Sequence, residues 1–165
     1  AIDDLTGLKN RGYFDHALGD KIKTASRSQT HVSLMMLDID HFKRINDHFG
    51  HLVGDECLRR FAGLLKQMIR RETDIVARFG GEEFAVILPD MDKNKSMEMA
   101  EQVRKTVEGL VHDHEGLRLS FTVSIGISSG IPGPRHSPEA FIDQADQALY
   151  HAKNTGRNRV SAYSE

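Results

Sequence analysis

The sequence predicts an α+β fold: a two-layer sandwich with a central, mostly antiparallel sheet around a βαββαβ core, flanked by helices. Three observations predict it. Gly80-Gly81 stands between two apolar runs, residues 75–77 and 84–88, which is typical of a tight β-hairpin because glycine adopts positive φ at little cost. A buried strand is predicted over residues 32–37. Segments with helical spacing of apolar residues separate the strands.

The remaining elements follow from the apolar spacing along the chain. Residues 4–8 are typical of a turn, and residues 50–54 and 130–137 of loops. Alternating apolar residues predict one strand over residues 117–127, and residues 160–162 are a candidate for a short final strand. Helices are predicted from Phe14 to Ala25, Phe42 to Phe49, Asp55 to Arg70, Met97 to Leu110, and Pro138 to Gly156. This order gives a core of ferredoxin-like or palm-like type.

The bulk properties describe a single domain over residues 1–165, with 39% hydrophobic and 28% charged residues. The formal net charge of −2 predicts no binding to polymeric nucleic acid. The sequence has no apolar run of membrane-spanning length and no signal-peptide pattern, so we expect no membrane contact by this domain itself. The single cysteine, Cys57, lies on a helical apolar pattern and is expected to be a core thiol. We therefore expect a cytoplasmic setting.

The abrupt start at Ala1-Ile2-Asp3 indicates the C-terminal output part of a longer protein. The sequence leaves open whether an N-terminal region anchors that protein to a membrane. It equally leaves open which sensor domain precedes this one.

Acidic side chains gather at two predicted strand ends. Glu82 and Glu83 follow the Gly-Gly turn at once, and Asp38 stands where the buried strand of residues 32–37 runs out. A cation would explain this arrangement, because Mg²⁺ prefers carboxylate and phosphate oxygens together, with Mn²⁺ as the alternative. The competing interpretation is a solvated acidic turn. Asp40 is either the N-cap of the next helix or a direct metal ligand.

Basic and amide side chains supply partners for a phosphorylated ligand. Lys43, Lys153 and Arg157 are candidates for phosphate binding, although cations near a helix C-terminus are also common on ordinary surfaces. Asn46 and Asp55 are candidates for reading guanine, whose Watson–Crick edge offers two N–H donors to a carboxylate; both could instead be helix-terminal residues. The three nearby histidines, His41, His48 and His51, are better explained as solvated imidazoles than as a zinc site.

Six ordered motifs carry a family resemblance over nearly the whole chain. Residues 78–84, Arg-Phe-Gly-Gly-Glu-Glu-Phe, resemble the signature of the GGDEF family of diguanylate cyclases in its GGEEF form. The other five motifs are residues 3–11 (D-x-L-T-G-L-x-N-R), 38–43 (D-x-D-x-F-K), 46–55 (N-D-x-x-G-H-x-x-G-D), 123–126 and 145–158.

The resemblance implies that two GTP condense to cyclic di-GMP with release of two pyrophosphates, between two domains that each hold one substrate. It implies Asp38, the Ile39 carbonyl and Glu82 as metal ligands, and Glu83 as a further ligand or as the base for the ribose 3′-OH. It assigns phosphates to His41, Phe42, Lys43, Lys153 and Arg157, and guanine to Asn46 and Asp55.

Arg71-x-x-Asp74 matches the family's inhibitory product site in sequence and in distance from the Gly-Gly pair. The alternative is a solvated charge pair. A secondary arginine of that site is replaced by Gln102. Two rival functions remain: a catalytically silent domain that binds cyclic di-GMP or GTP as a receptor, and a cyclase with altered base choice. The retained acids and cations argue against the first, and Asp55 against the second.

Overall fold

The computed structural model describes residues 1–134 and 136–164. Its elements are α1 Arg11–Ser28, β1 Val32–Ile39, α2 Phe42–Phe49, α3 His51–Met68, β2 Ile75–Gly80, β3 Glu83–Pro89, α4 Lys93–Gly109, β4 His112–His114, β5 Leu117–Leu119, β6 Val123–Gly130, α5 Pro138–Asn154 and β7 Val160–Ala162. Within those residues, no helix combines the length and the apolar character that crossing a bilayer requires.

The five-stranded sheet has the order β2-β3-β1-β6-β7. Strand β1 pairs antiparallel with β3 and β6, β2 pairs antiparallel with β3, and β7 alone runs parallel to its neighbour β6. Strands β1, β2, β3 and β6 with their helices form the βαββαβ core. The α+β class and the mostly antiparallel sheet are therefore confirmed.

Every residue of β1 is buried, because helices cover both faces of the sheet. Alternate residues such as Met35 and Leu37 pack with α3 and α4, whereas Leu34 and Met36 pack with α1 and α5. This gives the sheet a second helix layer that the two-layer prediction did not include. Helix α5 approaches β6 closely: a Cβ on Gly126 would lie 2.2 Å from the backbone nitrogen of Leu149, so only glycine fits there.

Two segment boundaries predicted from the sequence were wrong, and one strand was missed. The predicted loop at residues 50–54 lies almost wholly inside α3, which begins at His51 after a Gly50 at φ 92°. The predicted strand over residues 117–127 is divided, because the chain leaves β5 at Leu119 and enters β6 at Val123. Strand β5 pairs with β4, an element that the sequence did not predict, in a separate two-stranded ribbon.

Candidate active site

The candidate site forms where β1 ends beside the start of β3. Asp38 is the register partner of Glu83 across the antiparallel pair. Glu82 precedes it in the turn, where Gly81 adopts φ 47°. The hairpin predicted at Gly80-Gly81 is present, but its turn is one residue later, because Gly80 ends β2 and pairs with Glu83, which leaves Gly81 and Glu82 in the turn. The two strands bring acids from distant parts of the chain to one edge of the sheet.

The hairpin tip is tied to the N-terminal motif through Arg78. Its Nε donates to the Gly81 carbonyl at 3.0 Å, and its Nη1 donates to the Asp3 carboxylate at 3.3 Å. Asp3 also accepts hydrogen bonds from the backbone N–H and the hydroxyl of Thr6, at 2.9 and 2.7 Å. The D-x-L-T turn thus fixes the position of the Gly-Gly turn relative to the sheet.

Asp38 is a buried acid with one oxygen left unpaired. Its side chain is 5% exposed, and Oδ2 accepts a hydrogen bond from Nζ of Lys153, in the last turn of α5. Oδ1 is buried without a hydrogen-bond partner among the described residues. Burial raises the pKa of Asp38 to about 6, with Lys153 opposing the shift and the negative charges of Glu82 and Asp40 adding to it.

Glu83 is half-buried, and this burial raises the pKa of its carboxyl above the ordinary value. The charges of Asp38 and Asp146 add to the shift, and Lys153 opposes it. Asp146, on α5, was missed by the sequence reasoning. It lies seven residues before Lys153, a helical spacing that places both on one face of α5.

A cavity of about 440 Å³ adjoins these acids. It is lined by Asp38, Ile39, Asp40, His41, Phe42, Lys43, Arg44, Asp47, Glu82, Lys153 and Arg157. Eight predicted site residues therefore share one cavity with Asp40, the alternative candidate ligand, and Arg44 and Asp47 are additions. Lys43 is almost fully exposed and lies 3.6 Å from Asp47, one helical turn away, a spacing that could have identified Asp47 from the sequence.

The N-terminus of α2 points at this cavity without a side-chain cap. His41 occupies the cap position in the left-handed region, at φ 57°, and forms no side-chain cap hydrogen bond within the described chain. The first N–H groups of an uncapped helix are donors for an anion. The phosphate assignment of the segment His41-Phe42-Lys43 therefore rests on backbone as well as side chains.

Lys153 and Arg157 reach the cavity from different structures. Lys153 belongs to α5, which ends at Asn154 with Thr155 as its cap. Arg157 follows Gly156 outside the helix, at φ 61°. The two cations thus line the same cavity without sharing a helix face.

A larger cavity of about 610 Å³ adjoins the smaller one along α2 and is lined by Ile45, Phe49 and Phe121 among others. The two cavities share Asp40, His41, Arg44 and Asp47, but the larger one contains none of the three candidate catalytic acids. Size alone favours the larger cavity as a ligand site, yet the convergent acids and cations lie around the smaller one, which we take as the active site.

The candidate base-binding residues lie where α2 packs on α3. The Asn46 side chain rests against Gly54, where a Cβ would come within 1.8 Å of Asn46 Oδ1. That oxygen is buried and unpaired in the part of the chain that the structure describes. Asp55 follows Gly54 inside α3, whose cap residue is Gly50, so Asp55 does not cap the helix. Neither residue lines the phosphate cavity.

Asp40 is neither a helix cap nor a free ligand, and the prediction that it caps α2 was wrong. Its Oδ1 accepts from the Ser124 hydroxyl at 2.6 Å. Its Oδ2 accepts from the Thr122 hydroxyl at 2.7 Å and from the Asn158 backbone N–H at 3.0 Å. The two carboxylate oxygens are thus hydrogen-bonded to other parts of the protein, and they join the end of β1 to residues 122–124 and to Asn158.

Arg71 and Asp74 pair with each other. The guanidinium donates to Asp74 Oδ1 through Nη2 at 2.7 Å and through Nε at 3.0 Å. Nη2 also donates to the Pro89 carbonyl at 2.7 Å. The Asp74 side chain is 1% exposed, while that of Arg71 is 39% exposed. Gln102 lies exposed on α4.

Across residues 1–134 and 136–164, no group of three or more His, Cys, Asp and Glu side chains is close enough to hold a metal ion. The donors present nevertheless fit Mg²⁺, because Asp38 has an unpaired oxygen and lines one cavity with Ile39 and Glu82, while Glu83 is its register partner. Mg²⁺ characteristically takes one or two carboxylates and completes its octahedron with water and phosphate.

Fold and site together define an α+β domain with clustered carboxylates and cations around one cavity at a sheet edge. The family model for "Diguanylate cyclase, GGDEF domain" matches residues 1–159, and the chain belongs to this family.

Two curated relatives and one solved structure illustrate the likeness. The chain is 43% identical over 162 residues to the response regulator PleD of Caulobacter vibrioides, covering 96% of this chain and 35% of PleD. It is 45% identical over 162 residues to the diguanylate cyclase VdcA of Vibrio cholerae, covering 96% of this chain and 46% of VdcA. The chain thus spans less than half the length of either relative. The crystal structure of the GGDEF domain of DgcB from Caulobacter crescentus in complex with c-di-GMP superimposes with a TM-score of 0.94 at 35% identity, covering 99% of this chain and 93% of that one.

Proposed function

We propose that this domain is a diguanylate cyclase that condenses two GTP into cyclic di-GMP with release of two pyrophosphates. The observation that carries the proposal is the buried carboxylate of Asp38, unpaired at one oxygen and opposed in register to Glu83. A buried carboxylate oxygen without a hydrogen-bond partner is costly unless a ligand supplies one, even though the other oxygen pairs with Lys153. The resemblance to VdcA and to the c-di-GMP complex of the DgcB domain supports the same activity.

Asp38, the Ile39 carbonyl and Glu82 would hold Mg²⁺ or Mn²⁺, with Glu83 as a further ligand or as the base. The ion would supply Lewis-acid polarisation of the phosphates and would offset charge on the leaving pyrophosphate. Lys43, Lys153, Arg157 and the uncapped N-terminus of α2 hold the phosphate oxygens.

Glu83 suits the removal of the 3′-OH proton. The raised pKa of its carboxyl moves it towards the neutral range in which a general base works best. In each of two steps, a 3′-oxygen bonds to the α-phosphorus of the other GTP, the bond from that phosphorus to the pyrophosphate oxygen breaks, and the proton passes to Glu83. Because the hydroxyl comes from a second GTP, two copies of the domain face each other in a two-fold arrangement.

Asn46 and Asp55 select guanine. Their place between α2 and α3, beside Gly54, leaves an unpaired Asn46 oxygen for a base donor. Arg71 and Asp74 bind cyclic di-GMP as an inhibitor, a role that requires their mutual ion pair to open. The domain acts in the cytoplasm on free nucleotides.

The test is incubation of the purified domain with GTP and Mg²⁺, followed by chromatography for cyclic di-GMP. Glu83→Ala and Glu82→Ala should each lower the rate about a hundredfold or more while circular dichroism stays unchanged. Glu98→Ala, which removes an exposed acid on α4, is the matched control and should retain full activity.

Chelation of divalent metal should stop the reaction, and the rate per domain should rise with protein concentration if two copies assemble the site. A domain that binds GTP or cyclic di-GMP tightly but forms no product with Mg²⁺ or Mn²⁺ would be a receptor instead.

A further inference from the structure

The segment that carries Arg157 has an unusual backbone. Gly156, Arg157 and Asn158 follow one another with φ of 131°, 61° and 47°. Residues other than glycine rarely adopt positive φ, and such conformations persist when surrounding contacts hold them. The orientation of the Arg157 side chain therefore depends on the contacts that hold residues 156–158 in this conformation.

Two hydrogen bonds from backbone N–H groups hold the segment, one to helix α5 and one to Asp40. The Arg157 N–H donates to the Ala152 carbonyl at 3.0 Å, and the Asn158 N–H donates to Asp40 Oδ2 at 3.0 Å. Asp40 is 5% exposed and is itself held by the hydroxyls of Thr122 and Ser124. The anchor is thus a buried, fully hydrogen-bonded carboxylate two residues after Asp38.

The Asn158 side chain also holds the segment. Its Oδ1 accepts from Arg104 Nη1 at 2.9 Å, and its Nδ2 donates to Glu108. Arg104 is 13% exposed and is clamped by Glu101, whose two oxygens accept from Nε at 2.6 Å and Nη2 at 3.0 Å. A chain of contacts therefore runs from helix α4 to the segment beside the cavity.

We propose that Arg104 and Asn158 are positioning residues that aim Arg157 at the nucleotide phosphates. The proposal rests on the proposed function for the phosphate role of Arg157. Arg104 does not line the 440 Å³ cavity, and it acts through its hydrogen bond to Asn158, whose backbone N–H is bound to Asp40. The consequence is selectivity: a correctly aimed Arg157 favours ligands with a polyphosphate chain and contributes little to binding of the guanine base.

The variant Arg104→Met keeps most of the side-chain volume and removes every donor. Lys105→Met is the matched control, since Lys105 is exposed on the same helix and carries the same charge. Asn158→Gly is a second test variant, because glycine tolerates the positive φ and removes only the side-chain contacts. The conservative Arg104→Lys keeps one donor and should recover part of the loss.

Three measurements separate positioning from general support of the fold. The first is exchange of the Asn158 amide proton by NMR, which should accelerate about tenfold in Arg104→Met. The second is calorimetric binding of the α,β-methylene analogue of GTP and of GMP. The analogue should bind about tenfold more weakly in Arg104→Met, as expected for loss of a hydrogen bond to a charged group, and GMP less than about twofold more weakly. The third is steady-state kinetics, in which the KM for GTP should rise about tenfold with kcat nearly unchanged.

Equal weakening of the analogue and GMP would overturn the proposal, and so would an unchanged Asn158 amide. Failure of the proposed function has a different signature. The wild type would then bind neither nucleotide and form no product. Accelerated exchange of the Asn158 amide in Arg104→Met would still show that Arg104 on α4 holds residues 156–158 in place.

Discussion

The two ends of β3 carry the two candidate ligand sites, and these differ in how well their polar groups are satisfied. At the Glu83 end, buried Asp38 keeps an unpaired oxygen. At the Pro89 end, Arg71 bonds both Asp74 and the Pro89 carbonyl. A strand of seven residues separates the ends by about 20 Å.

The difference predicts how each site meets its ligand. At the Glu83 end, the buried carboxylate of Asp38 lowers the stability of the fold, and the proposed cation would offset this cost. Stability at that end is therefore lower than it would be without the proposed function. The Arg71 end is stable by itself, and a ligand must first open an ion pair. The proposed inhibition by cyclic di-GMP cannot act by contact over this distance. It would require that the ligand favour an unproductive arrangement of two domains or of the hairpin.

The largest expected effect is the loss of activity when Asp38, at the Glu83 end, is replaced. Asp38→Asn should lower cyclic di-GMP formation about a thousandfold, because the amide is a poor magnesium ligand. The same variant should be at least as stable as the wild type at neutral pH, since it removes a buried charge. Activity assays and urea titrations measure both. A variant that loses stability along with activity would show that Asp38 supports the fold.

The position of Asp38 opposite Glu83 was predictable, because the buried strand and the hairpin that carry them are local patterns. The partners of Asp40 were not, because Thr122, Ser124 and Asn158 lie 82, 84 and 118 residues further along the chain. The start of α3 was missed for a related reason. Gly54 suggests a loop locally, yet it belongs to a helix whose neighbour α2 packs too closely for a Cβ.

The proposed base-binding residues, Asn46 and Asp55, extend the comparison to a third place, because Asn46 Oδ1 is also buried and unpaired within the described residues. Asp55→Ala should reduce discrimination between GTP and ATP about tenfold to a hundredfold, because guanine donors then lack an acceptor. The ratio of kcat/KM values for the two nucleotides measures the effect. Since Asp55 does not cap α3, the melting temperature should change little; a large fall in it with unchanged discrimination would assign Asp55 to the helix.

The buried charge of Asp38 should make the unfolding free energy of the metal-free domain depend on pH. Burial raises the pKa of Asp38 from an ordinary value of 3.8 to about 6, so the folded state binds this proton more tightly than the unfolded chain. The resulting contribution to stability is fully present below the unfolded pKa and is lost as the pH rises through about 6.

Relative to Asp38→Asn, the wild type should therefore lose on the order of 1–2 kcal/mol of unfolding free energy between about pH 4 and pH 8. Urea titrations of both proteins in a metal chelator measure the difference, and the titration of groups that do not interact with Asp38 cancels. Parallel pH curves would mean that Asp38 is ionised without cost and that the contrast between the two ends is absent.

The smallest expected effect concerns the Pro89 end, where the polar groups of Arg71 and Asp74 are already hydrogen-bonded. Arg71→Ala removes the donors that hold Asp74 and Pro89, and the partly exposed guanidinium limits the loss of stability to about 1 kcal/mol. Binding of cyclic di-GMP should weaken about tenfold or more, because the guanidinium is the fork that a phosphate or a guanine Hoogsteen edge would take. Basal synthesis should be kept or raised, since the substituted residue is far from the acids.

Calorimetric titration of the product measures its binding, and initial rates with added product measure inhibition, with Arg70→Ala as the neighbouring control. If Arg71→Ala and the wild type are inhibited equally, the ion pair at the Pro89 end is a structural contact that never opens for the product.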